Sequence, residues 1–138
     1  MPQMPFIEWN DKLSVHVAVI DEDHKKLLEL ANHLHDAIRS QRGSQAMASL
    51  LEELLKFAQY HFAREEAFFA STGYEDAVRH KKQHDFLSEE LRKIQQRYSD
   101  GSPALTMDTM VFLKDWLYGH TLGSDARYGP HLNAHGIH

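Results

Sequence analysis

Apolar residues recur at helical spacing along four long segments of this 138-residue chain. In the first segment Leu27, Ala31 and Leu34 follow the three- and four-residue steps that line one face of a helix. Similar stripes run through residues 50–68, 77–98 and 110–120. The residue-by-residue alternation of a half-buried β-strand does not persist over a useful length. The pattern therefore predicts an all-α fold.

Short glycine-containing links separate the four segments: SQRGS at 40–44, STGY at 71–74 and SDGSP at 99–103. In the last link we expect Ser102 to cap the next helix and Pro103 to occupy its first position. Such short links favour an antiparallel up-and-down four-helix bundle. We expect one domain over residues 1–138, with an irregular N-terminal arm at 1–20, the bundle at about 21–125 and a mobile or loosely packed tail at 126–138.

Composition narrows the classes of partner and metal site. The 20 acidic residues outnumber the 15 basic ones and no basic cluster occurs, so nucleic acid and acidic membrane surfaces are not favoured partners. The absence of cysteine excludes disulfides, Cys-ligated zinc and iron–sulfur clusters, which leaves nitrogen and oxygen as metal ligands. No apolar run suggests a membrane span or a signal peptide. We expect a soluble, cytoplasmic protein that acts as a monomer.

Five histidines and two carboxylates stand out, and nearly all of them interrupt the apolar stripes: His24, His61, Glu65, His80, His84, His120 and Asp125. Buried charge is costly unless it is paired or binds a metal. Six of the seven residues also agree in height along the predicted bundle, because His24 lies 19 residues before Gly43 and His61 lies 18 after it. Similar counts around Gly73 and Gly101 bring Glu65, His80, His84 and His120 to that level. The sequence therefore predicts a metal site in one layer of the bundle.

The chemistry of these ligands suits iron, manganese, zinc or copper, and affinity order alone does not choose among them. Seven ligands exceed a single octahedral site, so two metal ions are favoured over one. The two carboxylates can bridge a pair of ions. Five histidines then divide as three and two, which leaves one ion with an open position for a small molecule.

Four stretches of the sequence resemble the hemerythrins, in particular single-domain bacteriohemerythrins: IDEDHKKL after Trp9, HFAREE at 61–66, HKKQHDFL at 80–87 and WLYGHTLGSD at 116–125 followed by YGP. The resemblance implies two iron ions bridged by an oxo or hydroxo group and by Glu65 and Asp125. One iron would be held by His80, His84 and His120. The other would be held by His24 and His61 and would take dioxygen at its sixth position.

The implied function is reversible dioxygen binding for storage, delivery or scavenging, without catalysis, with an unidentified protein as a possible recipient of the dioxygen. Two alternatives stay open. One is an O2 or redox sensor that acts through a separate partner, and the other is a di-iron oxidase or peroxidase. Ferritin-like enzymes use carboxylate-rich sites, so five histidines against two carboxylates favour holding dioxygen over activating it.

Residues that flank the ligands are candidates for an apolar dioxygen pocket: Phe57, Phe62, Trp116, Leu117 and Thr121. Thr121 follows the fourth-helix histidine where hemerythrins usually have isoleucine, and Gly119 precedes it where a larger residue is usual. We expect both to loosen or wet the pocket and to speed autoxidation.

The five-residue step from His120 to Asp125 turns through about 140° on a regular helix. The two side chains would then point in different directions. The fourth helix is therefore predicted to end or distort between them.

Overall fold

The computed structural model describes residues 6–40, 44–99 and 107–138. Its five α-helices are α1 (Ala18–Arg39), α2 (Ser44–Thr72), α3 (Ala77–Ser99), α4 (Met107–Gly119) and α5 (Ala126–Ala134). Helix α2 packs against α1 and α3, and α4 packs against α1, as expected for an up-and-down bundle of the first four helices. No strand occurs in the described ranges. The predicted all-α four-helix bundle is confirmed.

The predicted stripes form the core of the bundle. Leu27, Ala31 and Leu34 of α1 are at most 4% exposed, and Leu54 of α2 and Leu87 of α3 are each 1% exposed. Each of these side chains belongs to one continuous hydrophobic cluster. Burial of apolar surface is the main favourable term in folding. The amphipathic faces thus fix how the helices are rotated, and this rotation turns the interrupting histidines inward.

The link between α2 and α3 shows why its glycine is needed. Gly73 has a φ of +67°, a left-handed conformation that glycine adopts without steric cost. The amide of Tyr74 donates to the carbonyl of Phe69 at 3.2 Å, and the two aromatic rings lie 4.8 Å apart. This is the hydrogen bond and apolar contact of a Schellman cap. The other two predicted links fall largely outside the described residues, as do Ser102 and Pro103.

The N-terminal arm is shorter than predicted, because α1 begins at Ala18 rather than after residue 20. Asp21 accounts for the early start. Its carboxylate accepts hydrogen bonds from the Val15 amide at 2.8 Å and from the Ser14 hydroxyl at 2.6 Å. Negative charge in the first turn also stabilises a helix N-terminus. The arm before it includes a single 3₁₀ turn at Asp11–Leu13.

The fourth helix changes geometry where the sequence predicted a distortion. Residues His120–Asp125 form a π-helical turn between α4 and α5. A π turn closes i→i+5 hydrogen bonds instead of i→i+4. Residues five apart then come close to the same face, so His120 and Asp125 both reach the interior, at 8% and 1% exposure. The predicted distortion is confirmed.

The prediction of a mobile or loosely packed tail is wrong. Residues Ala126–Ala134 form α5, in which Tyr128 and Leu132 are fully buried. They pack with Phe69, Val17 and Ile20 in a second hydrophobic cluster. Gly129 lies so close to the arm that a Cβ there would be 2.5 Å from the Val15 carbonyl oxygen. The four-residue spacing from Tyr128 to Leu132 outweighs the glycine and histidine content on which the prediction rests.

Candidate metal centre

The structure brings together all seven residues that the sequence predicts as metal ligands. Helix α1 supplies His24, α2 supplies His61 and Glu65, α3 supplies His80 and His84, and the π turn supplies His120 and Asp125. None of them is more than 8% exposed. Their ligand atoms form two overlapping groups, in each of which all atoms lie within 4.8 Å of one another.

The two groups share both carboxylates and divide the histidines unequally. The larger group contains His80, His84 and His120, and the smaller contains His24 and His61. We refer to them as the three-histidine and two-histidine groups; Glu65 and Asp125 belong to both.

Asp125 faces both groups, one oxygen toward each. Its Oδ1 lies 2.9 Å from Nε2 of His80 and 3.0 Å from Nε2 of His120, whereas its Oδ2 lies 3.0 Å from Nε2 of His24. Glu65 instead uses a single oxygen, because its Oε1 lies 3.1 Å from Nε2 of both His61 and His84. Both carboxylates therefore stand between the two sets of imidazoles.

Several of these contacts lack hydrogen-bond geometry although the atoms are close. The Nε2 atoms of His24, His80, His84 and His120 have no hydrogen-bond partner, nor do Glu65 Oε1 and both oxygens of Asp125. Buried polar atoms are normally satisfied, so a convergent set of unsatisfied nitrogens and oxygens needs an explanation. Imidazole nitrogens and carboxylate oxygens are the donors that first-row transition metals bind. The cluster has the donor chemistry of a cation site.

The sequence profile of the hemerythrin HHE cation binding domain matches residues 15–132. The chain belongs to the hemerythrin family. It is 34% identical to a bacteriohemerythrin of Pseudomonas aeruginosa strain LESB58 over 127 residues, which cover 91% of this chain and 80% of that protein. It is 30% identical to a bacteriohemerythrin of Methylococcus capsulatus, with 95% and 100% coverage. A crystal structure of wild-type hemerythrin superposes with a TM-score of 0.87 at 29% identity, covering 92% of this chain and 98% of that chain.

A buried cluster of histidine, glutamate and aspartate in a hemerythrin domain fits a non-haem iron site.

Four residues of the cluster also make contacts outside it that set their orientation. Nδ1 of His61 lies 3.1 Å from Asp23, Nδ1 of His84 lies 3.0 Å from Glu66, and Nδ1 of His120 lies 2.9 Å from Gln83. Each contact leaves Nε2 facing the cluster. The fourth contact is a hydrogen bond that Tyr128 of α5 donates to Oε2 of Glu65.

Sequence reasoning missed these outer partners. Asp23, Glu66 and Gln83 each stand next to a cluster residue along the chain, and Tyr128 lies three residues after Asp125. That adjacency is the signal that could have found them, since partners of metal-binding histidines are generally carboxylates or other acceptors.

The aromatic pocket candidates lie mainly on the three-histidine side of this hemerythrin centre. The ring of Phe62 stacks on His84 at 3.9 Å between centroids, and the ring of Trp116 stacks on His120 at 4.4 Å. Phe57 is half-buried against the core, with its ring 5.8 Å from that of Tyr60. The two stacking contacts hold the imidazole planes of His84 and His120.

A small cavity lies beside the two-histidine group and includes Leu117 and Thr121. It measures about 10 Å³, close to the space that one water-sized molecule needs. Its walls are Trp9, Leu13, His24, Leu27, Leu28, Leu117, Tyr118 and Thr121. Thr121 is 9% exposed, so its side chain faces inward. Gly119 is exposed and a Cβ there would meet nothing within 4 Å, which shows that this glycine does not shape the cavity.

Charge in the cluster is balanced by ion pairs when no metal is bound. Burial lowers the pKa of His61, but the charge of Glu65 and the contact with Asp23 outweigh it and raise this pKa from 6.5 to about 10. Burial acts to raise the pKa of Asp125, yet His120, His24 and His80 lower it well below its usual range. Burial also raises the pKa of Tyr128. Burial and the charge of Asp125 act to raise the pKa of Glu65, but His61 and His84 outweigh them and lower it. Both carboxylates are thus poised to bind a cation, which must displace protons from histidine.

Proposed function

We propose that this protein binds dioxygen reversibly at a pair of iron ions held by the seven clustered residues. The observation that carries the proposal is the pair of overlapping ligand groups that share Glu65 and Asp125. A single octahedral ion has no use for seven protein ligands, whereas two ions bridged by the shared carboxylates would use all of them. Bound iron would supply reversible electron exchange with dioxygen, as cofactors in general carry the redox chemistry.

The unequal division of histidines supports a distinct role for each iron position. His80, His84 and His120, together with the two carboxylates, offer five protein donors on one side. His24 and His61 with the same carboxylates offer four on the other. We place the position for dioxygen on the two-histidine side, where the small cavity borders His24.

The residues around that cavity would exclude bulk water. Leu13, Leu27, Leu28 and Leu117 are at most 7% exposed. Leu13 comes from the 3₁₀ turn of the arm, and Leu27 and Leu28 come from α1. An apolar wall keeps solvent and protons from a reactive metal site and so favours release of unchanged dioxygen. Thr121 contributes a side chain with a hydroxyl group to the wall of this cavity, beside His24.

We assign the protein to dioxygen storage, delivery or scavenging rather than to catalysis. The donor set of five histidines and two carboxylates supports this assignment, since oxidases of the ferritin-like type use more carboxylates.

Among the helices of the described residues, none combines the length and the apolar content that a membrane span requires.

Anaerobic reconstitution with ferrous iron tests the proposal. The iron-to-protein ratio is measured, and visible spectra are recorded through cycles of air and deoxygenation. We expect about two irons per chain, because there are two ligand groups. We also expect absorption bands that appear in air and vanish on deoxygenation. Bands that bleach irreversibly would favour a sensor or redox enzyme. No iron uptake would refute the metal assignment.

A further inference from the structure

Arg64 is linked to the centre through one oxygen of Asp23. Its Nε lies 2.9 Å from Oδ2 of Asp23, as an ion pair without hydrogen-bond geometry, and the same oxygen lies 3.1 Å from Nδ1 of His61. The Asp23 carboxylate is buried, with a side chain 9% exposed, and the Arg64 side chain is 27% exposed. One carboxylate oxygen is therefore shared between a guanidinium at the surface and an imidazole of the two-histidine group.

Arg64 is also held from its outer side. Its guanidinium lies 5.0 Å from the ring centre of Tyr60, one turn earlier in α2, and its Nη2 donates a hydrogen bond to the Tyr60 hydroxyl. A guanidinium is planar and carries its positive charge whatever its contacts, and the two contacts with Tyr60 hold it in place beside Asp23. Asp23 consequently has a permanent positive charge against it.

The other histidines with outer partners lack this arrangement. Nδ1 of His84 contacts Glu66, whose carboxylate makes no ion pair with lysine or arginine within the described ranges. Nδ1 of His120 contacts the neutral amide of Gln83. Within that part of the chain, His61 is thus the one cluster histidine whose outer carboxylate is itself paired with an arginine.

We propose that Arg64 is a positioning residue that, through Asp23, raises the reduction potential of the iron held by His61; this rests on the proposed function. A carboxylate that accepts the Nδ1 proton makes an imidazole a stronger electron donor, which favours the ferric state. The charge of Arg64 on that same oxygen weakens the effect. Arg64 thereby helps to retain the ferrous state, which is the state that binds dioxygen.

The test is a double-mutant cycle read as the reduction potential of the iron-loaded protein. Arg64→Met is expected to lower the potential, Arg64→Lys to restore most of it and Asp23→Asn to raise it. About a tenfold change in the preference for ferric over ferrous iron is expected, within the range for partners of metal ligands, which equals about 59 mV for a one-electron couple. Arg64→Met should have no further effect when Asp23→Asn is present.

The matched control is Lys93→Met, which removes a cation paired with Glu90 on the exposed face of α3. The inference is overturned if Arg64→Met shifts the reduction potential no more than the control does. It is also overturned if the shift persists when Asp23→Asn is present. In the metal-free protein, the NMR resonance of the His61 Nδ1 proton should move downfield in Arg64→Met, and an unmoved resonance also overturns it. Wild-type protein that fails to take up iron instead overturns the proposed function, so the two failures are distinguishable.

Discussion

The hydroxyl of Tyr128 donates a hydrogen bond to Oε2 of Glu65, 63 residues earlier in the chain. Both side chains are fully buried. The contact connects α5 to a carboxylate that both ligand groups share. The last helix is therefore part of the support of the centre.

Replacing this tyrosine with phenylalanine should weaken both the fold and the metal site. Tyr128→Phe removes the hydroxyl that donates to Oε2 of Glu65, which is expected to lower the free energy of unfolding of the metal-free protein by about 1–3 kcal/mol. Metal affinity should fall by about tenfold. Urea unfolding and metal competition titrations measure the two effects. Tyr74→Phe is the control, because that ring also packs on Phe69; equal losses in the two variants would contradict a specific role for the Tyr128 hydroxyl.

Single ligand substitutions should distinguish a shared site from two separate ones. His24 belongs to the two-histidine group alone, whereas Glu65 belongs to both groups. His24→Ala is expected to reduce bound iron from about two ions to about one per chain, and Glu65→Ala to remove both. Elemental analysis after anaerobic loading gives the ratio, and circular dichroism checks that each variant is folded. If the two variants lose the same amount of iron, the bridging arrangement is wrong.

The hydroxyl of Thr121 is expected to accelerate oxidation of the dioxygen-bound form. Thr121 is buried at the cavity beside His24, which confirms its inward orientation. A polar group there brings a proton and ordered water closer to the iron position. Thr121→Val, which keeps the volume, and Thr121→Ile, which adds a methylene group, should both slow the decay of the oxygenated spectrum. If only Thr121→Ile slows the decay, the volume of the side chain and not its hydroxyl controls the rate. If neither variant slows the decay, the hypothesis is refuted.

Burial of α5 predicts a clear difference between two leucines. Leu132 is fully buried, whereas Leu122 in the π turn is 51% exposed. Leu132→Ala should lower the free energy of unfolding by about 2–5 kcal/mol, as for other buried leucines, and Leu122→Ala by no more than about 0.5 kcal/mol. Urea denaturation measures both. A loosely packed tail would instead make Leu132→Ala as mild as the control.

The pH dependence of stability should differ between the metal-free and metal-loaded protein. In the metal-free protein the pKa of His61 is raised from 6.5 to about 10, so its contribution to stability is complete below pH 6.5 and is lost as the pH rises toward 10. Metal binding requires a neutral imidazole, so the stabilisation that metal adds should grow over the same range. Urea unfolding of both forms across this range tests the prediction. A metal-free protein that becomes more stable as the pH rises would contradict it.

Much of the architecture follows from the sequence because the helical stripes determine which side chains face inward. The seven polar residues on those stripes lie together in the structure, and the five-residue step from His120 to Asp125 coincides with the π turn. Partners such as Asp23 and Gln83 could not be assigned in this way. Each contacts a histidine on another helix, and that contact depends on the relative rotation and height of two packed helices.

The burial of α5 was missed for a related reason. The π turn shifts the helical phase, so a stripe extended at regular α-helical spacing beyond His120 no longer predicts which residues face the core. Tyr128 and Leu132 continue the interior face only after this shift is included.

The π turn also makes the number of residues between His120 and Asp125 a structural constraint. Deleting one residue there would shorten the step between them from five residues to four, which on a regular α-helix turns through about 40° and keeps both side chains on one face. Asp125, Tyr128 and Leu132 would then still face the interior. Inserting one residue would instead make a six-residue step, which turns through about 240° on a regular α-helix and would carry the same three side chains away from the core. The six-residue turn thus holds one residue more than a regular helix needs, and that residue can be removed more easily than another can be added.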